Sequence, residues 1–469
     1  MADLRTERVA VHGCRPALAP TTVGQRSIWT DIEYMMPDTS FYNSVVPVEL
    51  AHGVSLDRVF SALRALCERH GALRSHFFRT PDGELVQRVT AGGEVTVEVC
   101  DARNGQDSDL YGLVGDLESS VRGHRFDHGK EWPIRVGVGV LDGAPLVVLL
   151  TVSHIAADYP SLRILAGELA ALVQGRTLGP PPVQPVELAA WERSEEGLRV
   201  QERSLRYWRK HLRTMPPSLL PEAGDGPEEP RYPTVWMRSR AVALAAGTLG
   251  ARYRVSSSAV LLAATALLLG RATGTPHATM VLIAGNRTRT MLRDYVGNLA
   301  QDVPTGIDLS GDDFATVARR AWSASVNAYR NAYCERAATA RLREEAEEER
   351  GTDLELSYFF NDLRPAGGDG AGPVASSADD VRTALADTRT GTGSGVERDN
   401  LLFFLDVSAA GTDEVELTLK ADSLRLRSDG MKEFLMRFEA LLVAAVEHGH
   451  DHGTEQLLDL VGPTAGTAA

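Results

Sequence analysis

Cysteine is scarce in this chain: Cys14, Cys67, Cys100 and Cys334 are the four thiols among 469 residues. They stand far apart, with no CxxC pair and no zinc-ribbon spacing. Such scattered thiols exclude a small disulfide-built scaffold and favour a reducing compartment, because secreted mini-domains are dense in cysteine. We therefore expect a cytoplasmic protein without a structural metal site.

Long hydrophobic runs and an excess of positive charge are also missing. The longest nearly apolar run covers residues 259–269, whereas a helix that crosses a bilayer needs about 20 apolar residues. The chain has 49 lysines and arginines against 63 aspartates and glutamates, which gives a formal net charge of -14. An acidic surface repels a phosphate backbone. We expect neither a membrane nor a nucleic acid as a partner.

The composition is that of an ordinary globular protein, with 43% hydrophobic and 24% charged residues. Residues 145–152 form a nearly continuous apolar run rich in β-branched side chains, which is typical of a strand buried on both faces. Ser55 and Ser256 each stand just before a stretch of helical apolar periodicity and are suited to cap it. Strands and helices alternate in both halves, which predicts an α/β fold.

A stiff connector predicts the division of the chain into two lobes. Residues 176–185 contain four prolines, a composition that favours an extended linker. We place an N-terminal lobe at residues 1–180 and a C-terminal lobe at residues 181–469. Residues 365–396 are rich in Gly, Asp, Ala, Ser and Thr, which predicts a long loop.

The chemistry centres on His154, which directly follows the predicted buried strand, and on Asp158 four residues later. An imidazole at a strand end leaves the core while its backbone stays fixed, and it can accept a proton from an attacking amine, hydroxyl or thiol. Asp158 either orients the imidazole or braces the turn through a basic partner. The same spacing also arises by chance in a chain with twelve histidines, so spacing alone leaves both readings open.

Further short motifs accompany this pair along about residues 18–446. They are, in order, Gln25-Arg26-Ser27-Ile28-Trp29, Arg69-His70-Gly71-Ala72-Leu73-Arg74-Ser75-His76-Phe77, Phe126-Asp127 with Pro133-Ile134-Arg135, Tyr207-Trp208-Arg209-Lys210 with Leu220-Pro221, Asn286-Arg287, Tyr295-Val296-Gly297-Asn298 and Phe359-Phe360-Asn361. Together they resemble the motifs of a nonribosomal peptide synthetase condensation domain, in the chloramphenicol-acetyltransferase-like superfamily of HxxxD acyltransferases.

The resemblance implies two chloramphenicol-acetyltransferase-like α/β lobes that form a V-shaped pseudo-dimer around a central tunnel. His154 matches the second histidine of the family's His-His-x-x-x-Asp-Gly motif and would position or deprotonate the acceptor. Asp158 matches the motif aspartate, whose family role is a structural salt bridge. Arg287 is the candidate partner in that bridge.

The resemblance also assigns four residues to the tunnel wall beside the substrate: Ser153, Tyr159, Asn298 and Gln301. Ser153 replaces the first motif histidine, Tyr159 replaces the motif glycine, and Gln301-Asp302 stand where the family has an Asn-Thr pair. The phenol of Tyr159 either narrows the tunnel and changes substrate choice, or blocks condensation and leaves a recruiting domain.

The resemblance implies an acyltransferase, which we expect to be a free-standing condensation enzyme of natural-product and antibiotic biosynthesis. It would join an acyl thioester, tethered to phosphopantetheine on a carrier protein met in trans, to an amine or alcohol acceptor. We expect no bound cofactor and a monomer. Two alternatives stay open: an acyl-CoA-dependent acyltransferase of the same fold, and a catalytically silent domain that recruits carrier proteins or a tailoring enzyme.

Overall fold

The computed structural model describes residues 3–102, 110–220, 226–310, 313–364, 376–449 and 452–462. The chain divides into two compact units, each built from three segments. Unit 1 consists of Met1–Glu202, Gly285–Gln301 and Tyr333–Arg336, and unit 2 consists of Arg203–Ala284, Asp302–Ala332 and Ala337–Ala469. The predicted division between residues 180 and 181 is a single cut and stays a prediction, whereas these units are discontinuous in sequence.

Unit 1, together with the helix that begins near the end of its first segment, contains eight strands and six α-helices within the described residues. They are β1 (Asp3–Val11), β2 (Ala17–Pro20), α1 (Val23–Met35), β3 (Asn43–Glu49), α2 (Leu56–Arg69), β4 (Ser75–Arg79), β5 (Leu85–Val89), β6 (Gly93–Ala102), α3 (Leu110–Arg122), β7 (Ile134–Leu141), β8 (Ala144–Ser153), α4 (Tyr159–Val173), α5 (Pro185–Glu192) and α6 (Glu195–Thr214).

Two sheets organise these strands. The larger has the order β1-β6-β7-β8-β3, with β6 and β7 parallel and the other pairs antiparallel, and the smaller has the order β2-β5-β4. Helix α2 begins as predicted, because the side chain of Ser55 accepts the backbone N–H of Arg58.

Strand β8 is buried on both faces, which confirms the prediction for residues 145–152. Leu150 and Val152 pack into the main core of unit 1, and Val147 and Leu149 pack on the opposite face beside helix α3. With β7 on one side and β3 on the other, the strand is fixed in every direction. The residue that follows it, His154, therefore starts from a rigid backbone.

Unit 2 holds the remaining strands and α-helices of the described chain. They are β9 (Tyr232–Ser239), α7 (Arg240–Tyr253), α8 (Ser257–Thr273), β10 (His277–Ala284), β11 (Gln301–Asp308), α9 (Phe314–Arg330), α10 (Arg336–Arg350), β12 (Tyr358–Asp362), α11 (Ala378–Ala384), β13 (Arg389–Val396), β14 (Phe403–Ala410), β15 (Glu414–Ala421), α12 (Ser428–His448) and α13 (Thr454–Leu460).

The strands of unit 2 form one mixed sheet with the order β11-β10-β12-β14-β15-β9-β13. Helices α7, α8 and α12 supply much of its core, and α8 has twelve consecutive buried residues from Ala259 to Gly270. Ser256 caps α8 by accepting the N–H of Ala259, as its position predicted.

The loop predicted for residues 365–396 is wrong over the part that the structure describes. Helix α11 and strand β13 lie there, and β13 pairs antiparallel with β9 at the sheet edge. Gly391 and Gly393 belong to β13, and a Cβ on Gly391 would lie 2.5 Å from the ring of Trp236. Glycine thus serves close packing here, which composition alone does not distinguish from a loop. Residues 365–375 lie outside the described part of the chain.

No single helix in the described ranges has both the length and the apolar composition needed to cross a membrane. Helices α7 and α8 meet that test only as a pair, and the pair bends by 104° at its break.

Candidate functional site

His154 leaves the end of β8 in a fixed turn. Its backbone N–H donates to the carbonyl of Tyr42 at 2.8 Å, and the N–H of Ala156 donates to the carbonyl of Ser153 at 2.9 Å. The His154 side chain is partly exposed. Its Nδ1 is buried and has no hydrogen-bond partner among the described residues. The imidazole is therefore carried by a rigid backbone and stays accessible.

Asp158 caps the helix that follows the turn. Its Oδ1 accepts the backbone N–H of Ser161 at 3.0 Å and the hydroxyl of Ser161 at 2.7 Å. Helix α4 begins at Tyr159, and Pro160 in its first turn suits a position where no backbone N–H is needed. Asp158 thus ends the turn that starts at His154, so the two residues frame one short segment.

Arg287 binds Asp158 through both arms of its guanidinium. Nη2 donates to Oδ1 of Asp158 at 2.6 Å, and Nη1 donates to Oδ2 at 2.7 Å. Asp158 is 2% exposed and the Arg287 side chain is 14% exposed. Two parallel charge-assisted bonds hold the carboxylate in one orientation. The structure therefore brings together the two side chains that the resemblance paired.

The segment that carries Arg287 also contacts Asp158 and Ser161 through its backbone. The N–H of Leu299 donates to Oδ2 of Asp158 at 3.0 Å, and the N–H of Gly297 donates to Oγ of Ser161 at 3.1 Å. A Cβ on Gly297 would lie 2.4 Å from the hydroxyl of fully buried Tyr295. Asp158 is thus engaged by Arg287, Ser161 and Leu299. This geometry fits bracing of the turn rather than orientation of the imidazole.

Two of the predicted tunnel residues flank His154 in different environments. Ser153 is fully buried, and its Oγ lies 2.7 Å from Nε2 of His128. Tyr159 is 43% exposed at the first position of α4. Its backbone belongs to the right-handed helix, so this position does not require the conformational freedom of glycine. Their contact with a substrate stays a prediction.

The other two predicted tunnel residues, Asn298 and Gln301, are buried beside the same site. Asn298 donates through Nδ2 to the carbonyl of Gly24 at 3.1 Å, and its Oδ1 accepts the N–H of Ala300. Oε1 of Gln301 accepts the N–H of Cys334 at 3.0 Å, while its Nε2 is buried without a partner among the described residues. Their substrate-lining role also stays a prediction.

Replacing Tyr159 with glycine is expected to leave the fold intact. The free energy of unfolding should change by less than about 1 kcal/mol, because the side chain is exposed and glycine costs little in a first helical turn. Chemical denaturation of Tyr159→Gly beside Tyr159→Ala measures this. A loss of several kcal/mol would show that the phenol is part of the packing.

A buried carboxylate lies at the start of helix α1. Both oxygens of Glu192 accept the N–H of Val23, at 3.0 and 2.9 Å, and Tyr333 donates to Oε1 at 2.5 Å. Burial raises the pKa of Glu192 to about 7, while Tyr333, Arg26 and the N–H of Val23 oppose that shift and nearby Glu335 adds to it.

Glu192 is expected to make stability depend on pH. Its pKa rises from an ordinary 4.5 to about 7 on folding, so the folded chain binds the proton more tightly. The stabilisation is complete below the unfolded pKa and is lost as pH rises through the folded one. The shift amounts to roughly 3 kcal/mol.

Denaturation of wild type and Glu192→Gln at pH values from about 4.5 to about 7 measures the effect. As the pH rises through this range, we expect the free energy of unfolding of wild type to fall relative to that of Glu192→Gln, whose amide does not titrate. Glu49→Gln, at an exposed carboxylate, is the matched control. Parallel pH curves for wild type and Glu192→Gln would contradict the assignment.

Sequence reasoning missed three of these residues: Ser161, Glu192 and His128. Ser161 had an indirect local signal, since an aspartate just before a helix with a proline in its first turn is an N-cap pattern, and an N-cap bonds two or three residues ahead. Glu192 and His128 had none, because their partners are distant in sequence. No group of three or more His, Cys, Asp or Glu side chains suited to a metal ion occurs among the described residues.

Comparison with known proteins yields a match over most of the chain. The family model described as Condensation domain matches residues 18–460. CymA, a probable nonribosomal peptide synthetase of Salinispora arenicola, is 30% identical over 336 residues, which are 67% of this chain and 4% of that protein. The cyclosporin synthetase simA of Tolypocladium inflatum is 31% identical over 298 residues, 61% of this chain and 2% of that protein. The matches thus span a small part of the length of these relatives.

Solved structures share the fold. SgcC5 of Streptomyces globisporus superposes with a TM-score of 0.70 at 20% identity, covering 92% of this chain and 100% of that one. The condensation domain of the monacolin K polyketide synthase MokA gives 0.72 at 18% identity, with 93% and 99% covered. The X-domain from teicoplanin biosynthesis gives 0.68 at 22% identity, with 95% and 98% covered. The predicted α/β fold class is confirmed.

Proposed function

The chain belongs to the condensation-domain family, and on that premise we propose that it is an acyltransferase that joins a carrier-bound acyl thioester to an amine or alcohol acceptor. The observation that carries the proposal is the placement of His154. Its partly exposed imidazole follows a strand buried on both faces, and the turn after it ends at the clamped carboxylate of Asp158.

The proposed reaction is attack of the acceptor on the thioester carbonyl carbon. As the C–N or C–O bond forms, the acceptor passes its proton to the imidazole of His154, and the C–S bond then breaks. The departing thiolate takes the proton back from the imidazolium, so the enzyme ends unchanged. Proton transfer of this kind contributes about 10²–10⁴-fold to a rate. The remaining rate gain comes from holding the reactants together.

The donor is proposed to be an acyl group carried on phosphopantetheine, because the relatives that the chain matches include a probable nonribosomal peptide synthetase and a cyclosporin synthetase. Arg26 and Arg135 are already engaged in ion pairs, which leaves neither guanidinium free to dock such a carrier. They pair with Glu335 and Glu98 within unit 1.

The four cysteines are free thiols, which supports the cytoplasm as the proposed compartment. A monomer suffices for the proposed reaction.

A transfer assay tests the proposal. Acyl-carrier-protein and acyl-CoA donors are offered separately in trans with a panel of amines and alcohols, and products are read by intact-mass spectrometry. We expect product from the carrier-bound donor with wild type and its loss with His154→Ala. Product from acyl-CoA alone would move the protein to CoA-dependent transfer. Carrier binding without any product would support a recruiting domain.

A further inference from the structure

A second imidazole contacts the end of β8. Oγ of Ser153, the last residue of the strand, lies 2.7 Å from Nε2 of His128, and the two residues are 25 positions apart in sequence. Ser153 is fully buried and His128 is 4% exposed. The matching family motif has a histidine at position 153. Here a hydroxyl stands at that position, and another segment brings an imidazole to it.

The ring of His128 is fixed by packing. It meets the indole of Trp29 edge-on, with centroids 5.6 Å apart and planes at 80°, and lies 6.0 Å from the ring of Phe126. Burial lowers the pKa of His128 to about 4, so the ring is neutral at neutral pH. A neutral imidazole keeps one donor and one acceptor. Either suits a hydroxyl, so the contact with Ser153 is a hydrogen bond.

The segment that carries His128 is tied to the strand pair that ends at Ser153. Asn43, in β3, lies opposite Ser153 in the register of β3 and β8. Its Nδ2 donates to the carbonyls of Arg122 at 2.8 Å and His124 at 2.6 Å. Asn43 thus connects the strand pair that ends at Ser153 to the segment that leads to His128, which fixes both partners of the hydrogen bond.

The next residue along the chain is His154. Its Nδ1 has no hydrogen bond among the described residues, so the placement of its ring depends on the turn that Ser153 begins. We propose that His128 is a positioning residue for His154, acting through its hydrogen bond to Ser153. This inference rests on the proposed function. Misplacement of a catalytic group by about 1 Å can cost 10²-fold in rate.

Variants on both sides of the contact test the proposal. His128→Phe keeps an aromatic ring and removes the hydrogen bond, and Ser153→Ala removes the hydroxyl. We expect each to lower kcat by about 10- to 100-fold with KM little changed. The double variant should be no slower than either single one, because both remove one interaction. A purely structural contact would instead lower the midpoint of unfolding and leave kcat unchanged.

A rescue variant guards against loss of folding. The double variant His128→Ala with Ser153→His removes the imidazole at position 128 and places one at position 153, where the family motif has a histidine. We expect it to recover most of the kcat that His128→Ala loses, while His128→Gln, which keeps a donor and an acceptor, should retain more activity than His128→Phe. Equal kcat for wild type and all these variants would overturn the proposal.

A second readout does not need turnover. Diethylpyrocarbonate modifies accessible neutral imidazoles. Peptide mass spectrometry measures the rate at which His154 is modified, and exposed His52 is the internal control. We expect the modification rate of His154 relative to His52 to rise in Ser153→Ala and His128→Phe. If wild type transfers no acyl group, the proposed function fails and this rate alone decides the inference. An unchanged rate would then overturn it.

Discussion

Replacing Arg287 with alanine is expected to lower the free energy of unfolding by about 3–5 kcal/mol, because it leaves the buried charge of Asp158 without its partner. Asp158 is 2% exposed and receives two of its hydrogen bonds from the guanidinium. The backbone N–H groups of Leu299 and Ser161 still donate to Asp158 in this variant, but these groups carry no positive charge. Chemical denaturation, monitored by tryptophan fluorescence and circular dichroism together, measures the loss.

Two further variants sharpen this result. Arg287→Lys keeps the charge but loses the planar fork, so we expect a loss between those of wild type and Arg287→Ala. Arg199→Ala removes an arginine that is 69% exposed and paired with Glu195 four residues earlier on α6. An exposed pair of this kind contributes about 0–1 kcal/mol. An Arg287→Ala loss as small as that of Arg199→Ala would contradict the clamp.

Replacing His154 with alanine is expected to reduce acyl transfer by about 10²–10⁴-fold while the stability of the protein changes little. The side chain is partly exposed, and its Nδ1 has no hydrogen bond among the described residues, so few native interactions are lost. The backbone bond from His154 to Tyr42 does not depend on the side chain. Steady-state kinetics with the donor and acceptor found in the transfer assay give the comparison.

The controls separate loss of the base from general damage. His52→Ala removes an exposed histidine and should leave transfer unchanged. His154→Gln preserves much of the volume and the polar character but cannot cycle a proton near neutral pH, so it should be nearly as slow as His154→Ala. Full activity in His154→Gln would show that the imidazole is not the base.

Much of this site was predictable from local sequence. Residues 145–152 read as a doubly buried strand because every side chain in the run is apolar or small enough to pack, and β8 is such a strand. His154 was placed at its end, and Asp158 was seen four residues later. Spacing alone did not separate the two roles of Asp158. The position of Asp158 just before Tyr159 and Pro160 is a further signal for a helix cap.

Other predictions failed or stayed open where composition is ambiguous. Composition predicts a loop for the glycines of β13, because it does not distinguish a glycine that makes room for Trp236 from one that permits a turn. The single boundary after residue 180 stays a prediction, and the later segment Gly285–Gln301 returns to unit 1. That return places Arg287 and Leu299 beside Asp158.

The sequence by itself determined the α/β class, the buried strand, its terminal histidine and the order of the family motifs, since these depend on periodicity and on neighbours a few residues apart. Only the tertiary structure decided which groups surround them. It brought three pairs of groups into hydrogen-bond distance: His128 and Ser153, the N–H of Val23 and Glu192, and the guanidinium of Arg287 and Asp158. A buried charge or hydroxyl must find a partner, but that partner can come from any segment that the fold brings near.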